Sequence, residues 1–460
     1  MMHKSTQNLS ACDAGPQGEG RESPSIVGKY QRYEHYKETG IERLGSVPAH
    51  WTTKRLKHMA RIKNGQDYKH VETSDSENGY PVIGSGGPFT YATKFVHRGE
   101  SVLLGRKGTI DKPLYIDDAF WTVDTMFYTE VQATSCAKYL YYCSLTIPFG
   151  YYSTNTALPS MTQEDLGGNQ FSVPDIDEQR QIASFLDHET AKIDILIDKQ
   201  QQLIQLLKEK RQAVISHAVT KGIDSNVPMK DSGVEWLGEV PEHWSVARVK
   251  FISKLESGHT PDKKIEAYWM DCNIPWVSLN DSKTLKNVDY ISETKFNVNA
   301  LGIENSSARM LPKNCVVFTR DASIGLTAIT TCEMAVSQHL IAWVVDPKNI
   351  SPEYLLLVFY AMEKELDRYT FGATIKTIGM ADVKKLVCAF PDRASQDRIT
   401  DYVFNKKKAI DSAVAKAVDS IALMQERRTA LIAAAVTGKI DVRHHASRPA
   451  GSACNTEMVL

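Results

Sequence analysis

Residues 40–51, Gly-Ile-Glu-Arg-Leu-Gly-Ser-Val-Pro-Ala-His-Trp, return at 233–244 as Gly-Val-Glu-Trp-Leu-Gly-Glu-Val-Pro-Glu-His-Trp. The offset is 193, and Arg55/Arg248, Lys57/Lys250 and Gly65/Gly258 extend the match. A chain that carries one unit twice folds as two copies of one scaffold, so a repeat outranks local propensity in deciding architecture. The later part of the unit repeats at an offset of 217: Pro174/Pro391, Gln179/Gln396, Ile193/Ile410, Asp194/Asp411, Arg211/Arg428 and Ala218/Ala435. The drift between the offsets gives the second copy about two dozen extra residues in its middle. The ends of the unit are alike and the middles differ. The pattern is that of a shared scaffold presenting two different variable surfaces.

Composition narrows the class. Of 460 residues, 24% are charged and 42% hydrophobic, enough to bury cores. The formal net charge is −1, so bulk charge offers no argument for nucleic-acid binding. No run reaches the roughly 18–20 apolar residues of a membrane span, and residues 1–28 lack the apolar centre of a signal peptide. Eight cysteines are dispersed with no Cys-x-x-Cys pair, which argues against a zinc ribbon and for reduced thiols in the cytoplasm.

Residues 1–28 and 443–460 read as disordered, polar and without apolar period. Between 51 and 171 the apolar bursts are short and bounded by Gly, Pro and Asp: 80–87, 101–105 and 119–124 read as strands, 54–62 and 137–145 as short helices. In the second copy 274–279 and 315–319 read as strands and 352–367 as a helix. The expected class is α+β, with globular domains at 29–175 and 225–391. From 177 to 221 the period changes. There is no Pro and no Gly, and Ile182, Leu186, Ile193, Leu196, Leu203, Leu207 and Val214 recur at spacings of three, four and seven. This predicts one long helix with a coiled-coil-like seam, Asp177 as its N-cap and Gly222 as its stop. Its counterpart covers about 396–437, with Ile399, Val403, Ile410 and Met424 at equivalent places. At about 1.5 Å per residue each helix is a rod of about 66 Å. Such a rod cannot bury its stripe alone, and the other copy is the expected partner, in an antiparallel coiled coil. The helical segments, with their flanks, are 176–224 and 392–442.

Two variable globular domains alternating with two long similar helices, each copy opened by Gly-[Ile/Val]-Glu-x-Leu-Gly-x-Val-Pro-x-His-Trp, resemble the specificity subunit of type I restriction–modification systems. The resemblance runs from about residue 36 to 442. It includes Gly105-Arg-Lys-Gly-Thr-Ile110, Thr319-Arg-Asp-Ala-Ser-Ile-Gly325 and the helix start Pro174-Asp-Ile-Asp-Glu-Gln-Arg-Gln-Ile182. The second helix start lacks the Glu that precedes Gln179 in the first. The resemblance implies that each globular domain is a target recognition domain reading one half of a bipartite DNA sequence. The paired helices would set the half-site spacing and dock two methyltransferase subunits, with two translocating restriction subunits joining for cleavage. Different middles imply different half-sites, hence an asymmetric target.

Candidate DNA contacts follow from residue chemistry. Arg106 and Lys107 lie between two glycines that let backbone approach a phosphate, and arginine reads guanine bidentately. Arg320 occupies the corresponding loop, where a salt bridge to Asp321 is the competing role. Lys54, Arg55 and Lys57 begin a basic run, continued by Arg61 and Lys63, with no acid from 51 to 66. Phosphate clamping and a solvated face both account for it. Gly84-Ser-Gly-Gly87 lacks a following Gly-Lys-[Ser/Thr] and reads as a turn leading to Tyr91 and Lys94. Asn155 and Lys376 lie in loops just before the long helices. Trp51 and Trp244 belong to the repeated frame and read as core, and His50 and His243 have no metal-ligating neighbours. Neither domain has a basic excess: residues 40–175 hold 13 Lys+Arg against 14 Asp+Glu, and residues 232–391 hold 17 against 19. Weak DNA binding by the isolated chain follows, with partner subunits supplying phosphate contacts.

No methyltransferase, ATPase or nuclease signature is legible. S-adenosylmethionine, ATP and Mg²⁺ are therefore expected in the partner subunits, with no cofactor, metal or catalytic residue in this chain. Three other readings stay open: the specificity subunit of a combined nuclease–methylase system, a stand-alone endonuclease using Asp262 and Glu293, and a coiled-coil scaffold that binds no DNA.

Overall fold

The computed structural model describes residues 30–152, 159–371 and 376–445. The chain forms two compact units, one of residues 1–199 and 420–460, the other of residues 200–419. Each unit therefore holds one globular domain and one part of each long helix. The helices span Ile176–Lys221 and Arg393–Val436.

In the first unit, Thr52–Arg55 pairs antiparallel with Gln170–Val173, tying the opening motif to the segment that enters the first long helix. An antiparallel sheet follows in the order Ala60–Asn64, Met126–Val131, Ser101–Gly105, Leu114–Ile116. A second sheet, ordered Trp121–Thr122, Tyr80–Gly84, Gly87–Ala92, Glu72–Thr73, is mostly antiparallel, with Trp121–Thr122 parallel to Tyr80–Gly84. Helix Ala137–Ser144 packs on the first sheet as its buried Tyr139, Leu140 and Cys143 dictate.

The second unit repeats this plan. Ser245–Arg248 pairs with Val387–Phe390. Five strands, ordered Ser253–Ser257, Leu340–Val345, Cys315–Thr319, Thr327–Thr330, Tyr290–Ile291, make the larger sheet. Ile274–Val277 runs parallel to Ala335–Val336, as Tyr80–Gly84 does to Trp121–Thr122. The paired residues show where the extra length lies. The offset is 194 at Pro81/Pro275 and 214 at Thr122/Val336, so about twenty residues enter between the strands Ile274–Val277 and Cys315–Thr319. They lengthen segment 278–314, which carries the short elements Leu279–Asp281, Ser282–Leu285 and Ala300–Glu304, the strand Tyr290–Ile291, and Asn297–Val298, which pairs with Ile274–Val277 as Gly87–Ala92 does with Tyr80–Gly84.

Three expectations about local structure change. Residues 54–62 form strand, a single helical turn Leu56–Met59, and strand again. The Lys/Arg content favours helix locally, but pairing with Gln170–Val173 and Met126–Val131 overrides propensity. The cap of the first long helix is Asp175, whose Oδ1 accepts from the Asp177 and Glu178 amides at 3.1 and 2.9 Å. Asp177 lies inside the first turn instead. Asp392 repeats the cap on the Ser395 amide, and those hydrogen bonds, the Ser395 hydroxyl foremost, hold its carboxyl below the usual range. Helix 352–367 is broken at Met362 into Pro352–Ala361 and Glu363–Asp367.

The helix seams merge with the domain cores. Ile182, Leu186 and Ile193 are buried in the core that contains Trp51, Tyr139 and Leu431. Ile399 and Val403 are buried in the core of the second domain with Trp244 and Tyr354. Ile410 is buried, while Leu207 and Met424 are half-buried. Leu196 and Leu203, expected in the seam, are exposed. Within each unit the two helix segments run antiparallel. In the first unit the Ser172 hydroxyl, just before one helix, donates to the carbonyl of Val436 at the end of the other, and Arg428 pairs with Asp194 at 3.0 Å. In the second, Arg211 pairs with Asp411 at 2.8 Å. These are the same two positions of the repeat.

Candidate nucleic-acid interface

The loops around Arg106 and Arg320 have the same backbone. The Arg106 amide donates to the Thr125 carbonyl at 2.9 Å, and the Arg320 amide to the His339 carbonyl at 3.0 Å. The Met161 and Ile378 amides donate back to the carbonyls of Arg106 and Arg320. The Gly108 amide bonds the Pro159 carbonyl, and the Ala322 amide bonds that of Lys376. Gly108 and Ala322 share a positive φ, 82° and 61°. Left-handed backbone is ordinary for glycine and strained for alanine, and such strain concentrates at functional loops. Here three chain segments are held side by side in each domain.

A fourth close approach completes the frame. At Gly65 and Gly258 a Cβ would collide with main-chain oxygens, those of Thr122 and Val123 in one domain and of Val336 and Ser337 in the other. Only glycine lets the strand end approach these turns. The turns run directly into Asp124-Thr125 and Gln338-His339.

On this common frame the side chains diverge. The first domain places exposed Lys107 and Asp124 beside half-buried Arg106. The Arg106 guanidinium donates to the Asp124 carbonyl at 3.2 Å and lies over the Phe127 ring at 5.8 Å. The second domain places Asp321, Gln338 and His339 beside Arg320. Arg320 Nε is 3.8 Å from Asp321, and His339 Nδ1 is 2.7 Å from the same carboxylate. A cleft of ≈ 460 Å³ adjoins Gln338 and His339, walled by Trp269, Trp276 and Phe296. Asn280 and Phe296 in that wall lie in segment 278–314, which the extra residues lengthen.

The other candidates distribute unevenly. Lys376 joins the Arg320 loop through its carbonyl, with its side chain exposed. Lys54 and Arg55 lie on the strand paired with Gln170–Val173, and Lys57 on the short helix beyond it. The run they start is partly neutralised: strand pairing sets Arg61 opposite Glu130, which lies 4.0 Å from Arg61 and 3.8 Å from Lys63. Tyr91 and Lys94 are exposed on and just beyond the hairpin strand Gly87–Ala92. Asn155 lies outside the described residues. Asp262, one half of the nuclease pattern, accepts from the Lys264 amide at 2.9 Å as a turn residue.

Asp124, Gln338 and His339 were not among the candidates, and Thr260 stood out only within the motif Ser257-Gly-His-Thr-Pro261, with no contact assigned to it. They lie where the two copies disagree, so a search for repeats passes over them. The only sequence signal was the 214-residue offset between the two arginine loops, carried 18 to 19 residues further.

The opening motif has a structural use. Trp51 and Trp244 are buried. The Glu178 carboxylate accepts from Tyr33 at 2.8 Å, from Trp51 Nε1 at 3.2 Å, and contacts His50 Nε2 at 2.8 Å. Burial, then the Glu178 hydrogen bond, raises the Tyr33 phenol well above its ordinary range. In the second copy Ser395 stands in place of Glu178, and His243 is exposed. Among the described residues no cluster of His, Cys, Asp and Glu is placed to hold a metal ion, and no helix is long and apolar enough to cross a membrane.

Two copies of one α+β reader frame, each attached to a pair of antiparallel helix segments, define a class of paired recognition modules. The type I restriction modification DNA specificity domain matches residues 48–205 and again 241–416, and the chain belongs to that family. It is 23% identical over 449 residues to the type I restriction enzyme EcoBI specificity subunit of Escherichia coli, covering 90% of this chain and 91% of that one. It is 27% identical over 181 residues to the MjaIX specificity subunit of Methanocaldococcus jannaschii, an alignment spanning 37% of this chain and 41% of that one. The fold matches a chain solved to show the complex assembly and conformational transition of the type I R-M system. The TM-score is 0.66 at 14% identity, over 85% of this chain and 98% of that one.

Proposed function

We propose that each globular domain reads one half of a bipartite, asymmetric DNA sequence, and that the paired helices set the gap between the halves and dock the catalytic subunits of a type I restriction–modification complex. The observation that carries this is the loop frame repeated around Arg106 and Arg320 with different side chains mounted on it. Identical backbones position two readers alike, and unlike side chains give them unlike base preferences. The chain itself is a DNA-binding subunit rather than an enzyme. Adenine methylation, ATP hydrolysis and cleavage belong to two methyltransferase and two restriction subunits in the cytoplasm, which hold S-adenosylmethionine, ATP and Mg²⁺. Taking the adenine out of the stack is likewise the methyltransferase's task.

The test is the adenine methylation pattern of a methylation-free host expressing this chain with its methyltransferase partner, read by long-read sequencing. A new two-part motif with a constant gap, absent when this chain is omitted, is the expected result. Methylation of the same motif without this chain would sink the reading.

A further inference from the structure

We infer that Gln338 is the adenine-reading residue of the second domain and that Thr260, His339 and Asp321 hold its amide in the reading orientation; this rests on the reader function proposed above. Five side chains form one chain of hydrogen bonds that converges on the Asp321 carboxylate. The Thr260 hydroxyl donates to Gln338 Oε1. Gln338 Nε2 lies 3.3 Å from His339 Nε2, and His339 Nδ1 lies 2.7 Å from Asp321 Oδ2. The Thr377 hydroxyl donates to the other Asp321 oxygen.

The polarity is set at Asp321: a carboxylate only accepts, so in the neutral imidazole tautomer that fits it His339 Nδ1 carries the proton and Nε2 accepts. Nε2 then takes one N–H of the Gln338 amide. The amide oxygen is thereby turned to Thr260. An exposed glutamine would otherwise sample several rotamers and both amide flips. Here both are selected before any DNA arrives, which removes an ordering cost from binding.

The amide keeps one N–H and one oxygen lone pair beyond these two hydrogen bonds. Adenine presents the matching pair in the major groove, an acceptor at N7 and a donor at N6. Gln338 is exposed and lines the cleft, and among the described residues only Thr260 and His339 bond its amide. At the equivalent place the first domain has Asp124, whose carboxylate only accepts. The two domains therefore cannot prefer the same base at this position.

The experiment uses the chain in complex with its methyltransferase partner in the methylation-free host, with Gln338→Ala, Gln338→Glu and Asp321→Ala variants. The half-site belonging to the second domain is the one that changes when residues 225–391 are exchanged. The expected result is that Gln338→Ala relaxes one A·T position of that half-site by roughly tenfold to a hundredfold, leaving the other half-site and the gap unchanged. Asp321→Ala relaxes the same position and no other. If Gln338→Ala abolishes methylation, binding of the purified complex to duplexes substituted at each half-site position decides: preference lost at one A·T pair supports the assignment, and an unaltered preference profile overturns it. An unchanged motif, or a second half-site with no A·T pair, also overturns it. A wild-type complex that yields no two-part motif would instead refute the reader function itself.

Discussion

The hydroxyl of Tyr139 lies 3.3 Å from the main-chain carbonyl of Val436, 297 residues further along, and 2.6 Å from that of Ser172. Tyr354 repeats the arrangement on the carbonyls of Val219 and Ala389, at 3.4 and 3.1 Å. Ser172 and Ala389 are one position of the repeat, and Val219 and Val436 another. Both phenols are fully buried, and burial raises each well above its ordinary range. One tyrosine per unit thus ties the globular domain both to the strand entering one helix and to the end of the other.

Tyr139→Phe takes the phenol donor from the Ser172 carbonyl and leaves the Val436 carbonyl with the Ser172 hydroxyl as its remaining side-chain donor. The expected cost is about 1–3 kcal/mol, seen as a lower urea midpoint at unchanged slope. Tyr354→Phe should cost the second unit a similar amount.

Glu178→Ala strips the acceptor from Tyr33 and Trp51, both buried. The expected loss is about 2–4 kcal/mol, because two buried donors are left unpaired. Ser395→Ala, at the equivalent position of the second copy, should change stability by less than about 0.5 kcal/mol. Equal effects from the two substitutions would contradict the assigned role of Glu178.

Burial pushes the Cys143 and Cys388 thiols from the ordinary 9.0 up to about 12, and that of Cys315 to about 11. Raised acids stay protonated in the folded chain while the unfolded chain ionises from pH 9 upward. The unfolded state then binds fewer protons, so stability is full below pH 9 and falls as pH rises toward 12. Denaturant midpoints between pH 8 and 11 should show this decline, shallower in the Cys388→Ala variant. At pH 8, peptide-level alkylation should leave Cys143 and Cys388 unmodified until the protein unfolds.

Gly108 and Ala322 occupy the same left-handed position. Gly108→Ala should destabilise the first unit by about 1 kcal/mol and Ala322→Gly should relieve a similar strain in the second. Thermal melting measures both. An effect of Ala322→Gly on target discrimination without loss of stability would show that the strain positions the reader.

Arg211→Asp should weaken the second unit by about 0.5–1 kcal/mol by facing Asp411 with a like charge. Adding Asp411→Arg should restore most of it, a double-mutant test of the antiparallel register.

The organisation was legible because it is written twice. Two offsets located both copies, both helices and the insertion, and the break in period at 177 marked the first helix without reference to any contact. Trp51 and Trp244 were recognisable as core because they recur in a frame that does not vary. Local propensity misled at 54–62, where strand partners distant in sequence outweighed a lysine-rich composition, and at Leu196 and Leu203, whose spacing fits a seam that the packing leaves exposed. The proposed base contact was hidden for a related reason. Arg106 and Arg320 stand out by their motifs, but Gln338 gains meaning only from Thr260, His339 and Asp321, up to 78 residues away. A repeated sequence dictates its scaffold, because the same periodicity and the same glycines demand the same backbone twice. Which side chains share one surface, and which way an amide is turned, depends on non-local hydrogen bonds that exist only once the tertiary structure has brought their partners together.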